Sequence, residues 1–211
     1  MGWTRPLTAR PCRGFGRVMD PLYVFVFLGL FTPGPNVILL TASGARFGFQ
    51  ASLPHVAGVA LGVGVIAALA GLGIGVLVVT VPGVELGLKL VAAGWILWMA
   101  VDLWRARATG PPETRADKPW TIWRAILFQW VNPKVWAVIL SAASAYGAGL
   151  GPWGEAVRLS TAFSGINLFV CLFWSLAGSL LAMLLTTPAA WRLFSRVMAL
   201  ALAGSAVMVF T

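Results

Sequence analysis

Three long stretches of this chain leave little room for a water-soluble fold. Residues 22–42 and 159–185 contain no charged side chain, and residues 53–81 hold only His55 and Thr80 as polar side chains. A helix needs roughly 20 apolar residues to cross a hydrocarbon core of about 30 Å, so each stretch is long enough to span a bilayer. Other runs follow the same pattern with a charge or two. Residues 86–101 carry Lys89, residues 123–146 hold Arg124 near one end and Lys134 inside, and residues 193–210 have Arg196 near their start. The expectation is an all-α, polytopic membrane protein with about six transmembrane helices. Composition agrees, with 59% hydrophobic and 10% charged residues, against about a quarter charged in soluble domains.

The one long polar loop, "RARATGPPETRADKPW" at residues 105–120, divides a membrane domain at 19–211 into halves 19–104 and 121–211. Trp104, Trp120, Trp123, Trp153 and Trp191 fall at span ends, where an indole sits well at the headgroup level. Residues 1–18 form a basic extension with Arg5, Arg10, Arg13 and Arg17. They lack the apolar region and cleavage site of a signal peptide, and Met19 offers an alternative start. In a six-span chain Arg46, Arg105, Arg107, Arg115, Lys118, Arg124, Arg192 and Arg196 gather on one side, with Arg158 on the other, joined there by the four arginines of the extension if the chain starts before Met19. The positive-inside rule then puts the connector in the cytoplasm of a multi-pass protein of the bacterial inner membrane.

Several function classes fall away. Cys12 and Cys171 form no CxxC motif, so a thiol relay is excluded. A lone His55 without a His, Cys or carboxylate cluster predicts no metal and no cofactor. The net charge of +9 is spread over loops between apolar runs, which reads as a topology signal and not as a nucleic-acid surface. No nucleophile or acid–base pair converges within the spans, so no enzyme is expected.

What remains conspicuous is "TPGPN" at residues 32–36, in the middle of the first apolar run. Proline has no N–H, and its ring clashes with the carbonyl four residues back, so Pro33 and Pro35 should free the carbonyls of Gly29 and Phe31. Broken backbone at membrane depth survives only where it is buried in protein or lines a cavity. A kinked helix served by its neighbours is the plainer alternative. The fourth run repeats the device, with Asn132, Pro133 and Lys134 at a similar depth in "LFQWVNPKVWAVIL". Each break sits in the first span of a set of three, and an odd number of spans makes the halves enter from opposite sides. That arrangement predicts a 3+3 inverted repeat with a site near the midplane between the two breaks.

In these motifs, together with "LKLVAAGWILWMAVDLWRA" in the third span, the chain resembles the LysE/RhtB family of amino-acid exporters, from about Met19 to the end. The resemblance implies export of amino acids or related metabolites from the bacterial cytoplasm. It also implies a central substrate site at Thr32, Pro33, Gly34, Pro35, Asn36, Asn132, Pro133 and Lys134. Many relatives have aspartate where this chain has Asn36, which leaves the proton-coupling residue open.

The charge inventory narrows the substrate. Asp20, Glu85, Asp102 and Glu155 all lie near span ends, so a cationic substrate would find no deep counter-ion. An α-carboxylate could pair with Lys134 and with amides at a broken helix end, and its ammonium could lie against freed carbonyls. A neutral amino acid or similar zwitterion is expected, moved by a secondary exporter driven by the proton-motive force. Snorkelling toward the interface is the alternative use of Lys89 and of Lys134. His55 reads as an interfacial residue. Gly58 with Gly62, and Gly71 with Gly75, have the spacing of close helix packing. Asn167 either bonds another helix or faces a cavity. The expected partners are an amino-acid substrate and the lipid bilayer, with no nucleic acid and a homo-oligomer left open. The competing class is a membrane-embedded structural or assembly protein.

Overall fold

The computed structural model describes residues 20–74, 84–105 and 118–207. The basic extension with Cys12, Met19, Gly75 and connector residues 106–117 lie outside the described residues. Among those described, the chain is helical throughout: α1 (Pro21–Phe31), α2 (Pro35–Phe47), α3 (Phe49–Gly71), α4 (Val84–Arg105), α5 (Ile122–Trp130), α6 (Pro133–Ala145), α7 (Pro152–Ala182) and α8 (Pro188–Val207). Proline opens five of these helices. A proline at the first position of a helix gives up an N–H that would be unpaired anyway, and its fixed φ suits the helix. Asp20 caps α1 by accepting the Leu22 N–H at 3.0 Å, and Thr121 caps α5 by accepting the Arg124 N–H at 3.3 Å.

Three helices, α3, α7 and α8, are long and apolar enough to cross a membrane alone. Two pairs, α1 with α2 and α5 with α6, pass the same test jointly but bend by 59° and 63°, so up to five crossings follow by length and composition. The elements depart from the sequence expectation mainly at α7. It starts at Pro152, well before residue 159, and its 31 residues reach about 46 Å at roughly 1.5 Å per residue. That exceeds a hydrocarbon core of about 30 Å. Trp153, in its first turn, is 77% exposed.

The helices pair in a pattern that exchanges the two halves. α3 and α7 pack on each other at the centre, α1 and α2 lie on α7, α5 and α6 lie on α3, and α4 packs on α8. Contacts are close because glycines remove side chains from between backbones. Gly58 faces the Ile122 carbonyl and Gly62 faces Ile126 and Gln129 on α5, while Gly71 abuts the backbone of Ala156. On the other side Gly44 of α2 lies against the Ser175 carbonyl, and Gly178 of α7 lies against the Thr41 carbonyl. Lipid tails are as apolar as leucine, so close van der Waals approach of this kind holds helices together in a bilayer. Leu90, Trp98, Phe169 and Leu184 remain exposed on the outside.

His55 differs from its expected interfacial setting. It is only 1% exposed and stacks on Trp120 with ring centroids 4.8 Å apart. The Arg124 guanidinium covers Trp120 at 4.5 Å. Trp120 is thus drawn inward as part of the packing, whereas Trp123 stays exposed.

At the opposite end of the bundle, Arg158 joins three elements. It bonds the Asp20 carboxylate at 2.7 Å, the Tyr146 carbonyl at 2.7 Å, and Glu155 at 3.5 Å. Glu155 in turn accepts the Ala148 N–H at 2.6 Å. The Arg158 guanidinium, helped by the Leu22 N–H, holds the Asp20 carboxyl below the ordinary value of 3.8.

Candidate functional site

The two broken helices meet at their breaks. In the first, Thr32 and Gly34 are extended, and Thr32 ends α1 while Gly34 caps α2. The freed backbone is partly recovered locally, since the Thr32 hydroxyl donates to the Gly29 carbonyl at 3.0 Å. In the second, Val131 closes α5 and Asn132 caps α6. Lys134, in the first turn of α6, reaches across to the other break. Its ammonium donates to the Thr32 carbonyl, to the Thr32 hydroxyl at 2.8 Å and to the Pro33 carbonyl at 3.4 Å. An ammonium has three N–H donors, and these three acceptors match them. Gly34 makes the crossing feasible: a Cβ there would stand 2.7 Å from Lys134 Cδ and 3.1 Å from its Nζ. The lysine therefore does not snorkel; it bridges the two motifs.

Around this bridge lies a cavity of about 20 Å³, lined at the breaks by Gly34, Asn36, Asn132 and Lys134 and on α7 by Asn167 and Trp174, among others. Such a volume has room for one water. Of the eight residues expected at the site, Gly34, Asn36, Asn132 and Lys134 line the space itself. Thr32 and Pro33 serve as acceptors for the lysine, while Pro35 and Pro133 open the two helices that start there. Because α2 and α6 both begin at the cavity, both present their N-terminal, positive ends to it, which favours a carboxylate.

Gln129 was not evident from sequence. It is fully buried, and its amide exchanges two hydrogen bonds with Asn36. Asn36 Nδ2 donates to Gln129 Oε1 at 2.8 Å, and Gln129 Nε2 donates to Asn36 Oδ1 at 3.2 Å. Gln129 Nε2 also donates to the Ala125 carbonyl at 2.9 Å. A carboxylate at position 36 could only accept, so the reciprocal pair suits asparagine. The signal available in the sequence was a glutamine among the otherwise apolar residues 125–131, a type of residue that commonly bonds between spans.

Asn132 and Asn167 are 1% and 2% exposed. Asn132 Oδ1, Asn167 Nδ2 and Trp174 Nε1 are buried and have no hydrogen-bond partner, and all three residues line the cavity. Each such group costs about 1–3 kcal/mol if nothing ever pairs with it. Among the described residues no group of three His, Cys, Asp or Glu side chains could hold a metal. Lys89 is not among the residues lining the cavity.

Two broken helices that meet at a small space lined by both apolar and polar side chains, in a chain with several helices long and apolar enough to cross a membrane, have the architecture common among membrane translocators. The sequence pattern of LysE type translocators matches residues 27–211, and the chain belongs to that family. It is 31% identical over 202 residues to the cysteine/O-acetylserine efflux protein of Escherichia coli (strain K12), covering 92% of this chain and 97% of that protein. Proteins of the same description from Shigella sonnei (strain Ss046) and Shigella flexneri match with the same identity and coverage. No solved structure matches the chain.

Proposed function

We propose that this protein is a secondary exporter of small neutral amino acids, similar in size to the cysteine and O-acetylserine for which its relatives are named. The observation that carries the reading is the Lys134 ammonium from one break bonded to the carbonyls of the other. A cation held only by neutral oxygens, two carbonyls and a hydroxyl, can still accept a counter-ion. An arriving α-carboxylate competes for it and is drawn as well to the N-termini of α2 and α6. The Thr32 and Pro33 carbonyls released by the lysine then become acceptors for the substrate's ammonium. Substrate thereby exchanges one set of contacts for another and loosens the bridge between the halves. Among the described residues no carboxylate lines the cavity, so lysine or arginine as substrate lacks a partner for its side chain.

The exchange of pairings between the halves, with α1 and α2 on α7 mirrored by α5 and α6 on α3, supports a 3+3 inverted repeat. Counting α4, whose 22 residues are long enough, makes six crossings. In this reading the connector faces the cytoplasm, the protein sits in the bacterial inner membrane, and the proton-motive force drives export. The test is efflux of preloaded, labelled amino acids from vesicles containing the purified protein. Serine and cysteine should leave faster than from empty vesicles, faster still with an imposed proton gradient, and lysine should not. Stronger efflux of lysine than of serine would overturn the counter-ion argument.

A further inference from the structure

The α7 wall of the cavity carries chemistry that neither break accounts for. Cys171 donates its S–H to Asn167 Oδ1 at 3.5 Å, which turns the amide so that Nδ2 is the group left over. One turn further along α7 lies Trp174, tilted against Phe31 at 5.3 Å between centroids, its Nε1–H buried without a partner. Two unused donors thus border a cavity whose other walls already supply a cation, two helix N-termini and, at Asn132 Oδ1, an unused acceptor. The Ser175 hydroxyl and the His55 ring are also buried without partners, but neither residue lines this space.

Building on the reading of the cavity as the substrate site, we infer that Asn167 and Trp174 are its specificity residues. They donate hydrogen bonds to an oxygen on the substrate's side chain, while Asn132 Oδ1 accepts from the α-ammonium. The carboxylate is already served by Lys134 and by the starts of α2 and α6, so the α7 donors are left for the only remaining part of an amino acid. Donors that are buried and unpaired in the closed protein discriminate strongly, because an apolar side chain of the same shape leaves them unpaired when bound. A hydroxyl or carbonyl oxygen pairs with them. The substrate class this selects is small amino acids with an oxygen acceptor on the side chain, in preference to aliphatic ones of equal size.

The test compares efflux of isosteric pairs from vesicles, serine against 2-aminobutyrate and threonine against valine, for the wild type, Trp174→Phe, Asn167→Leu and Lys134→Met. Trp174→Phe keeps an aromatic ring against Phe31 and removes only the N–H with part of the indole. The expected result is a wild-type preference for serine and threonine that falls about tenfold in Trp174→Phe or Asn167→Leu, the effect of one lost hydrogen bond. An unchanged preference ratio, whether overall rates hold or drop together, overturns the inference and assigns both residues to packing. Sensitivity of all four substrates to Lys134→Met keeps the central-site reading standing in that event. If Lys134→Met also exports at the wild-type rate, the site reading itself fails. A variant that does not elute as a monodisperse peak in detergent is replaced by Asn167→Ser, which keeps a shorter polar group and predicts a smaller fall in the same ratio.

Discussion

The two breaks bend their helices by nearly the same angle, yet they are built differently. At the first, two prolines flank Gly34, the backbone is extended at Thr32 and Gly34, and the Thr32 and Pro33 carbonyls are left to accept from Lys134. At the second, the turn is tight and bonded to itself: the Val131 N–H reaches the Phe128 carbonyl and the Asn132 N–H reaches the Gln129 carbonyl, both at 3.2 Å. One break offers acceptors and the other offers the cation that takes them. A repeated fold can thus carry complementary chemistry at corresponding places. A deep lysine can also be matched without a deep carboxylate.

The comparison breaks most directly at its bridge. Lys134→Met removes the cation while preserving length, and its removal relieves an insertion cost of at least about 2.5 kcal/mol. The protein should insert and fold, while efflux of carboxylate-bearing substrates falls on the order of a hundredfold, since hydrogen bonds from charged groups are worth about 1.5–3 kcal/mol each. Lys134→Arg keeps the charge but not the compact head, and partial activity is expected. Wild-type efflux from well-expressed Lys134→Met would remove the bridge from the mechanism.

Pro33→Ala attacks the acceptor side. With an N–H restored, α1 can wind further and withdraw the Thr32 and Pro33 carbonyls from Lys134. Because Pro33 lies in the break and not inside a helix, its replacement removes no helix-interior penalty, and the variant should keep thermostability close to wild type and still lose export. Unaltered export would make the first break a simple kink.

A smaller effect sharpens the comparison at the amides. Asn36→Ala, Gln129→Ala and the double variant form a cycle whose coupling should be about 1 kcal/mol of stability, read from thermal unfolding in detergent. Additive losses would mean that the reciprocal pair seen between the breaks does not operate in solution.

The mildest prediction lies away from both breaks, at the Asp20–Arg158 pair that ties the start of α1 to α7. Because Arg158 lowers the Asp20 pKa in the folded protein, the stabilisation is complete above the ordinary carboxyl value of 3.8 and is lost as pH falls through the lower folded value. Asp20→Asn should therefore melt slightly below wild type near neutrality. The gap between the two should close in acid. A gap that does not depend on pH would leave the ion pair without a part in holding that end of the bundle.

Much of this arrangement could be read from residues alone, for a physical reason. Prolines and a lysine inside apolar runs are costly, and costs of that kind show in one dimension. Pro33, Pro35, Pro133 and Lys134 announced both breaks, and the spacing of Gly58 and Gly62 announced close packing. The contact between Lys134 and Thr32 could not be read, because it depends on how two helices distant in the chain approach each other. Gln129 and Trp174 gave even less warning. A buried glutamine amide and an indole look alike in sequence whether their polar atoms are paired or left over. The burial of His55 was hidden for the same reason, since only the fold brings Trp120 and Arg124 over it.

The small size of the cavity has a consequence for the membrane in which the protein sits. Proton hopping needs a continuous file of waters, and about 20 Å³ holds one. The reciprocal contacts of Gly44 with the Ser175 carbonyl and of Gly178 with the Thr41 carbonyl bring the α2 and α7 backbones close together. The Lys134 ammonium lines that space, so a hydrated proton entering it from either side would meet a like charge.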